Sequence, residues 1–238
     1  MPPPEGVATI AEHLEAVRRR ITAAAQRAGR SPSDITLVVV SKTVGAARVR
    51  EAAAAGQIAF GENRVQEGLS KIELLPDLPL EWHLIGHLQS NKAKRAAGSF
   101  AWIQSVDSIE LLERLDRGAA EAGRRPRILI QVDLAHETTK HGADESAAAA
   151  LAAAAAQAAS LDLRGLMIVP PNPDTAEDSR PWFRRLRELR DRLVASGLPA
   201  GSMAELSMGM SHDFEVAIEE GATMVRVGSA IFGDRPAL

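Results

Sequence analysis

The sequence predicts a closed (β/α)8 (TIM) barrel with an extra N-terminal helix, forming one domain over residues 1–238. Three observations predict it. Eight short apolar runs alternate with segments of helical composition from residue 35 onward, the signature of parallel strands joined by crossover helices. No shift in composition marks a linker between domains. Gly29, Gly56, Gly123, Gly197 and Gly221 each follow a helical pattern closely, where a residue able to adopt the left-handed conformation ends a helix. The rival fold, a doubly wound open sheet, is disfavoured by the strand count.

The helix of roughly Thr9–Arg27 precedes the first strand. The strands are expected at Ile35–Lys42, Ile58–Gly61, Trp82–Ile85, Trp102–Val106, Ile128–Leu134, Leu163–Val169, Glu205–Met208 and Met224–Val227. The intervening helices are expected at Ala46–Ala55, Arg64–Leu75, Asn91–Ala96, Ile109–Ala122, Asp144–Ala159, Ser179–Ala195 and Phe214–Glu220. Asp107-Ser108 and Ser211-His212-Asp213 supply N-caps. The alanine-rich stretch Ala147–Ala159 reads as a closely packed helix without chemistry. Arg18-Arg19-Arg20 and the Arg184–Arg192 cluster read as solvated helix faces.

Composition narrows the function. With 238 residues, 45% hydrophobic and 25% charged, the chain can bury an adequate core without staples. A formal net charge of -3 gives no pull toward nucleic acid or an anionic membrane. The absence of cysteine excludes disulfides, thiolate catalysis and cysteine-bound metal. No stretch is long and apolar enough to span a bilayer, and Met1-Pro2-Pro3-Pro4-Glu5 does not resemble a signal peptide, so a cytoplasmic protein is expected. There is no tyrosine, which removes any mechanism requiring a phenol.

In a barrel the chemistry collects at the carboxyl ends of the strands. There stands Lys42, directly after the β-branched run Ile35–Ser41. A shielded amine loses basicity and condenses with carbonyls; the competing reading is a lysine that snorkels to solvent. Met208-Gly209-Met210-Ser211, leading into a helix, and Arg226-Val227-Gly228-Ser229, closing the last strand, have the makings of anion sites, against a reading as ordinary turns. Amine and anion turns together suggest a phosphorylated aldehyde cofactor. His83 and His87 are four apart but span a strand and a turn, and no third ligand is evident, so no metal is expected. Ser211-His212-Asp213 cannot form a catalytic triad as sequence neighbours, and no Walker or dinucleotide-binding loop is present.

Five segments carry a family resemblance: Val40-Ser41-Lys42-Thr43, Phe60–Glu67, Trp82–Lys92, Leu206–Phe214 and Val225–Gly233. Over nearly the whole chain they resemble the pyridoxal phosphate homeostasis protein family, whose single barrel is similar to the N-terminal domain of alanine racemase. The resemblance implies pyridoxal 5′-phosphate (PLP) bound as an internal aldimine on Lys42. It implies phosphate contacts from Ser211, Arg226, Gly228 and Ser229, with Asn63, His83 and Met208 near the ring. Lys140, in His136–Gly142, matches a lysine proposed to handle cofactor in some members, though the motif departs in detail and a solvated loop lysine is the simpler reading.

Two function classes follow. One is a PLP enzyme such as an amino-acid racemase, which needs an acid/base on each face of the substrate. The other is a carrier that holds the cofactor reversibly, acts in vitamin B6 homeostasis and hands PLP to PLP-dependent apoenzymes. The missing tyrosine favours the carrier, since Lys42 alone serves one face. A monomer is expected.

Overall fold

The computed structural model describes residues 8–135 and 141–233. Eight parallel strands close in the order β1-β2-β3-β4-β5-β6-β7-β8, with β8 pairing back onto β1 (Thr36 opposite Met224, Val38 opposite Arg226). The strands are β1 Thr36–Val40, β2 Ala59–Glu62, β3 Glu81–Leu84, β4 Trp102–Val106, β5 Arg127–Val132, β6 Asp162–Ile168, β7 Glu205–Ser207 and β8 Met224–Val227. The helices are α1 Ile10–Arg27, α2 Ala46–Ala54, α3 Val65–Leu74, α4 Ala93–Ser99, α5 Ile109–Glu121, α6 Glu145–Ala156, α7 Arg180–Ala195, α8 Phe214–Glu219 and α9 Ser229–Phe232. No helix among the described residues is long and apolar enough to cross a membrane.

Two apolar compartments result from strand alternation. Outward-facing residues such as Val39, Phe60, Trp82, Leu84 and Ile103 join the helices in the main core. Trp102, Leu129, Met167 and Met224 pack together inside the barrel. The five helix-ending glycines all have left-handed backbone (φ 62° to 110°), as the sequence predicts. Helix α6 buries Ala148, Leu151, Ala152 and Ala155, and Asp144 caps it by accepting from the Ala147 N–H at 2.8 Å. The arginines of α7 are not simply solvated. Arg180, Arg184 and Arg187 converge on the buried Glu220 after α8, and Arg185 and Arg192 reach Glu145 at the start of α6.

Helix α1 begins with a capping box, Thr9 accepting from the Glu12 N–H and Glu12 from the Thr9 N–H. It buries Ile10, Leu14, Val17 and Ile21, and His13 Nδ1 donates to the Ile231 carbonyl at 2.9 Å. Arg48 of α2 donates to the Phe232 carbonyl at 2.8 Å. Both contacts brace α9, the short helix opened by Gly228-Ser229.

Several boundaries differ from expectation. Strand β1 ends at Val40, so Lys42 sits in a turn two residues beyond it. Ser90–Lys92 is a 3-10 turn and α4 starts only at Ala93. Asp213 precedes α8 without capping it, because its carboxylate accepts from the Met210 N–H (2.6 Å) and the Ser179 hydroxyl (2.8 Å).

Candidate functional site

A cavity of about 300 Å3 opens at the carboxyl ends of the strands. Lys42, Asn63, Ser211, Arg226, Gly228 and Ser229 line it with Val40, Ile85, Val169, Met210 and His212. The strand-end amine and the turns after β7 and β8 therefore meet in one space. Two expected residues do not. Met208 is fully buried in the main core, and its neighbour Met210 faces the cavity instead. His83 is fully buried below the cavity, inside the barrel. Lys140 lies outside the described residues.

Half-buried Lys42 is flanked by two fixed residues. Ser41 continues the ladder by donating its N–H to the Gly61 carbonyl at 3.0 Å. Thr43 has φ 64°, the one non-glycine residue with positive φ among the described residues; a β-branched residue there costs about 1–3 kcal/mol. The turn is held by Glu67, whose Oε1 accepts the Thr43 N–H at 2.5 Å, and by the Thr43 hydroxyl, which donates to the Lys42 carbonyl at 2.6 Å. Behind it Lys71 donates to the Ser41 carbonyl (2.6 Å), Glu62 Oε1 (2.6 Å) and Glu67 Oε1 (2.8 Å). Burial pushes the Glu62 carboxyl up from its ordinary value, against the Lys71 and Ser41 hydrogen bonds, and its Oε2 is buried without a hydrogen-bond partner.

Arg226 lines the cavity from β8, the strand paired with β1 (Val38 opposite Arg226). Its Nη1 donates to Ser207 Oγ at 2.7 Å and its Nη2 to the Ile168 carbonyl at 2.8 Å. Burial pushes its guanidinium down to about 10, partly offset by Asp213, so it stays charged at neutral pH. Ser207 donates in turn to Gln104 Oε1 at 2.6 Å, and Gln104 Nε2 donates to His83 Nδ1 at 2.9 Å. That acceptor role leaves the proton on His83 Nε2, which faces Glu81 Oε1 at 3.3 Å. Burial pulls the His83 imidazole below its ordinary value. Glu81 is held down at about 2 by the His83 hydrogen bond, with Trp102 and Arg127 adding to it. His83 thus reaches the cavity only through Gln104, Ser207 and Arg226, and its ring lies flat on Trp102 (5.4 Å, 7°).

The turns after β7 and β8 depend on close backbone approach. Gly209 has φ 92°, and a Cβ there would fall 2.6 Å from that of Ala217, so only glycine lets the loop seat Met210-Ser211 against α8. The Ser211 hydroxyl accepts the Gly228 N–H at 3.2 Å, joining the two turns. A Cβ on Gly86 would sit 2.4 Å from the Asn63 carbonyl; the chain leaving β3 thereby presses directly on the backbone of Asn63, which lines the cavity.

One expectation about the histidines needs correction. His87 does have further ligand types nearby, since Asp107 and His141 bring donor atoms within 4.8 Å of it and of one another. His83 is not among them. The His87 and His141 rings stack at 3.5 Å with planes 10° apart, however, and imidazole binds a metal in its ring plane at about 2.1 Å. Planes this close to parallel meet far beyond bonding distance, so the arrangement is a stacked pair beside a carboxylate.

Four residues to which the sequence assigns no role are Glu67, Lys71, Gln104 and Ser207. Gln104 carried a usable signal, a polar side chain in the middle of a buried strand, and Glu67 and Lys71 stand at i,i+4 on one helix face.

The barrel with its strand-end lysine defines a protein of the alanine racemase N-terminal-domain type, and residues 13–236 match the model of the family described as alanine racemase, N-terminal domain. The chain belongs to the pyridoxal phosphate homeostasis protein family within it. It is 46% identical over 230 residues to the pyridoxal phosphate homeostasis protein of Pseudomonas aeruginosa, covering 96% of this chain and 97% of that one. It is 44% identical over 224 residues to that of Aquifex aeolicus, covering 94% and 97%. Among solved structures it is similar to PipY of Synechococcus elongatus with PLP bound (TM-score 0.83, 43% identity, 94% of this chain and 100% of that one). Alanine racemase of Clostridium difficile shares the fold (TM-score 0.73) at 16% identity, with 95% of this chain matching 58% of that one.

Proposed function

We propose that this protein binds PLP covalently but reversibly through Lys42 and serves intracellular vitamin B6 homeostasis as a monomeric carrier, delivering cofactor to PLP-dependent apoenzymes. The observation that carries this reading is the meeting of Lys42 and Arg226 with the Ser211 and Gly228-Ser229 turns in one cavity of about 300 Å3. The donor set fits the group: an amine for the aldehyde, hydroxyls and a glycine turn for the phosphate, and a buried cation for the negative charge. PLP in PipY, at 43% identity, supports the same assignment. When bound, the cofactor supplies an aldehyde that condenses with an amine and releases water. The chain's residues do the rest. Lys42 offers the amine, the Ser211–Ser229 side fixes the phosphate end, Arg226 supplies a fixed buried charge, and Val40, Ile85 and Val169 exclude water.

A racemase would need a second acid/base facing Lys42. The chain has no tyrosine, and among the described residues the cavity's other titratable side chain besides Arg226 is His212, about half exposed and 3.6 Å from Asp213. An absorption spectrum of purified protein, recorded before and after adding free amino acids, tests the reading. The carrier account expects a Schiff-base band that shifts as the added amine takes the aldehyde, with no D-amino acid formed. Conversion of an L-amino acid to its D form at about 1 per second or faster contradicts it.

A further inference from the structure

The strained turn at Thr43 and the buried charges behind it point to a device that aims Lys42. Both peptide groups adjoining the Lys42 Cα are fixed. The carbonyl of the preceding one, from Ser41, accepts from Lys71 Nζ at 2.6 Å. The following one is held at both ends, its N–H by Glu67 at 2.5 Å and its carbonyl by the Thr43 hydroxyl at 2.6 Å. Lys71 spends all three ammonium protons on Ser41, Glu62 and Glu67, so its own position is fully determined. Glu62 in turn receives the Ser41 hydroxyl at 2.6 Å.

We propose that Glu67 and Lys71, seated on Glu62, are positioning residues that set the direction in which Lys42 presents its amine to the cavity. Fixing the two peptides fixes the Cα–Cβ bond, and with it the cone that the Lys42 amine sweeps. A left-handed threonine persists only where its surroundings over-determine it, and here the surroundings are two charge-assisted hydrogen bonds from one helix, α3. None of the three charged groups lines the cavity. They act through the backbone alone.

The inference rests on Lys42 carrying the cofactor. Removing Lys71 would strand the buried Glu62 and can unfold the chain, so the test uses Glu67, whose side chain is 28% exposed. Wild type, Glu67→Ala and Glu67→Gln are compared for PLP affinity by titration, for the pH midpoint of the Schiff-base absorbance, and for Tm without cofactor. Loss of one charge-assisted hydrogen bond is expected to weaken PLP binding about tenfold in Glu67→Ala and to move the absorbance midpoint. Glu67→Gln, whose amide oxygen still accepts the Thr43 N–H, is expected to recover affinity to within about threefold. An Ala variant matching wild type in affinity and midpoint overturns the proposal, as do Ala and Gln variants that fail equally alongside a fallen Tm. Borohydride reduction of the wild type separates this from the parent reading: absence of a pyridoxyl adduct on Lys42 overturns both, whereas an adduct with an indifferent Ala variant overturns only the positioning role.

Discussion

Behind Lys42 the cavity wall is charged and its backbone strained, whereas behind Arg226 it is a relaxed chain of neutral hydrogen-bonding groups. On the first wall Lys71 and Glu67, with Glu62 behind them, grip the main chain on either side of the lysine. On the second, Ser207 and the Ile168 carbonyl grip the guanidinium itself, with Gln104 and His83 behind. Under the proposed function the difference follows from what each residue does. An amine that forms and breaks a bond to the cofactor must change its hydrogen bonding during the cycle, which suits a residue aimed through its backbone. A cation that only stabilises charge is best held rigidly by its side chain.

The comparison can be broken most sharply on the arginine side. Arg226→Gln removes a buried charge facing the cavity and is expected to weaken PLP retention about 100-fold by titration, while Lys42 can still be trapped by borohydride at high cofactor concentration. Unchanged affinity would take Arg226 out of the site. A smaller effect is expected one step back in the chain. Ser207→Ala leaves Arg226 and Gln104 each short of a partner and should lower unfolding stability by about 1–3 kcal/mol, with a loss of affinity of about tenfold. If denaturant unfolding moves and affinity does not, Arg226 is held by Ile168 alone.

The smallest effect concerns pH. His83 is buried and neutral, its folded value depressed below the ordinary 6.5. As pH falls below about 6.5 the unfolded chain takes up a proton that the folded chain refuses, so stability is present above that pH and lost below it. Between pH 7 and 5.5 this one group therefore lowers stability as the pH falls. Glu81 adds to it only below about pH 4.5, where the unfolded carboxyl protonates while the folded one, at about 2, does not. Thermal unfolding of wild type and His83→Gln across pH 7 to 5.5 checks this; equal slopes would contradict it.

Much of this was legible in the sequence because it depends on local rules. Strand and helix periodicity, and glycines that must turn left-handed at helix ends, predict a barrel, and the barrel brings Lys42, Asn63, Ser211, Arg226, Gly228 and Ser229 together through the geometry of strand ends alone. The misplaced residues are those whose environment is decided by partners distant in sequence. His83 does not line the cavity; Ile85, two residues further along the chain, does, and His83 is instead held by Gln104 and Glu81. Met208 and Met210 differ by a turn at Gly209 that reverses which of them faces inward. Asp213 has the composition of an N-cap, but Ser179, 34 residues away, claims its carboxylate. Helix α9 has only four residues, too few for periodicity to register.

The central claim is that Lys42 forms the bond to the cofactor. Holoprotein reduced with borohydride, digested and mapped by mass spectrometry tests it directly. The account expects a pyridoxyl adduct on Lys42 and its loss in Lys42→Ala. An adduct found instead on Lys92 or Lys140 would contradict it.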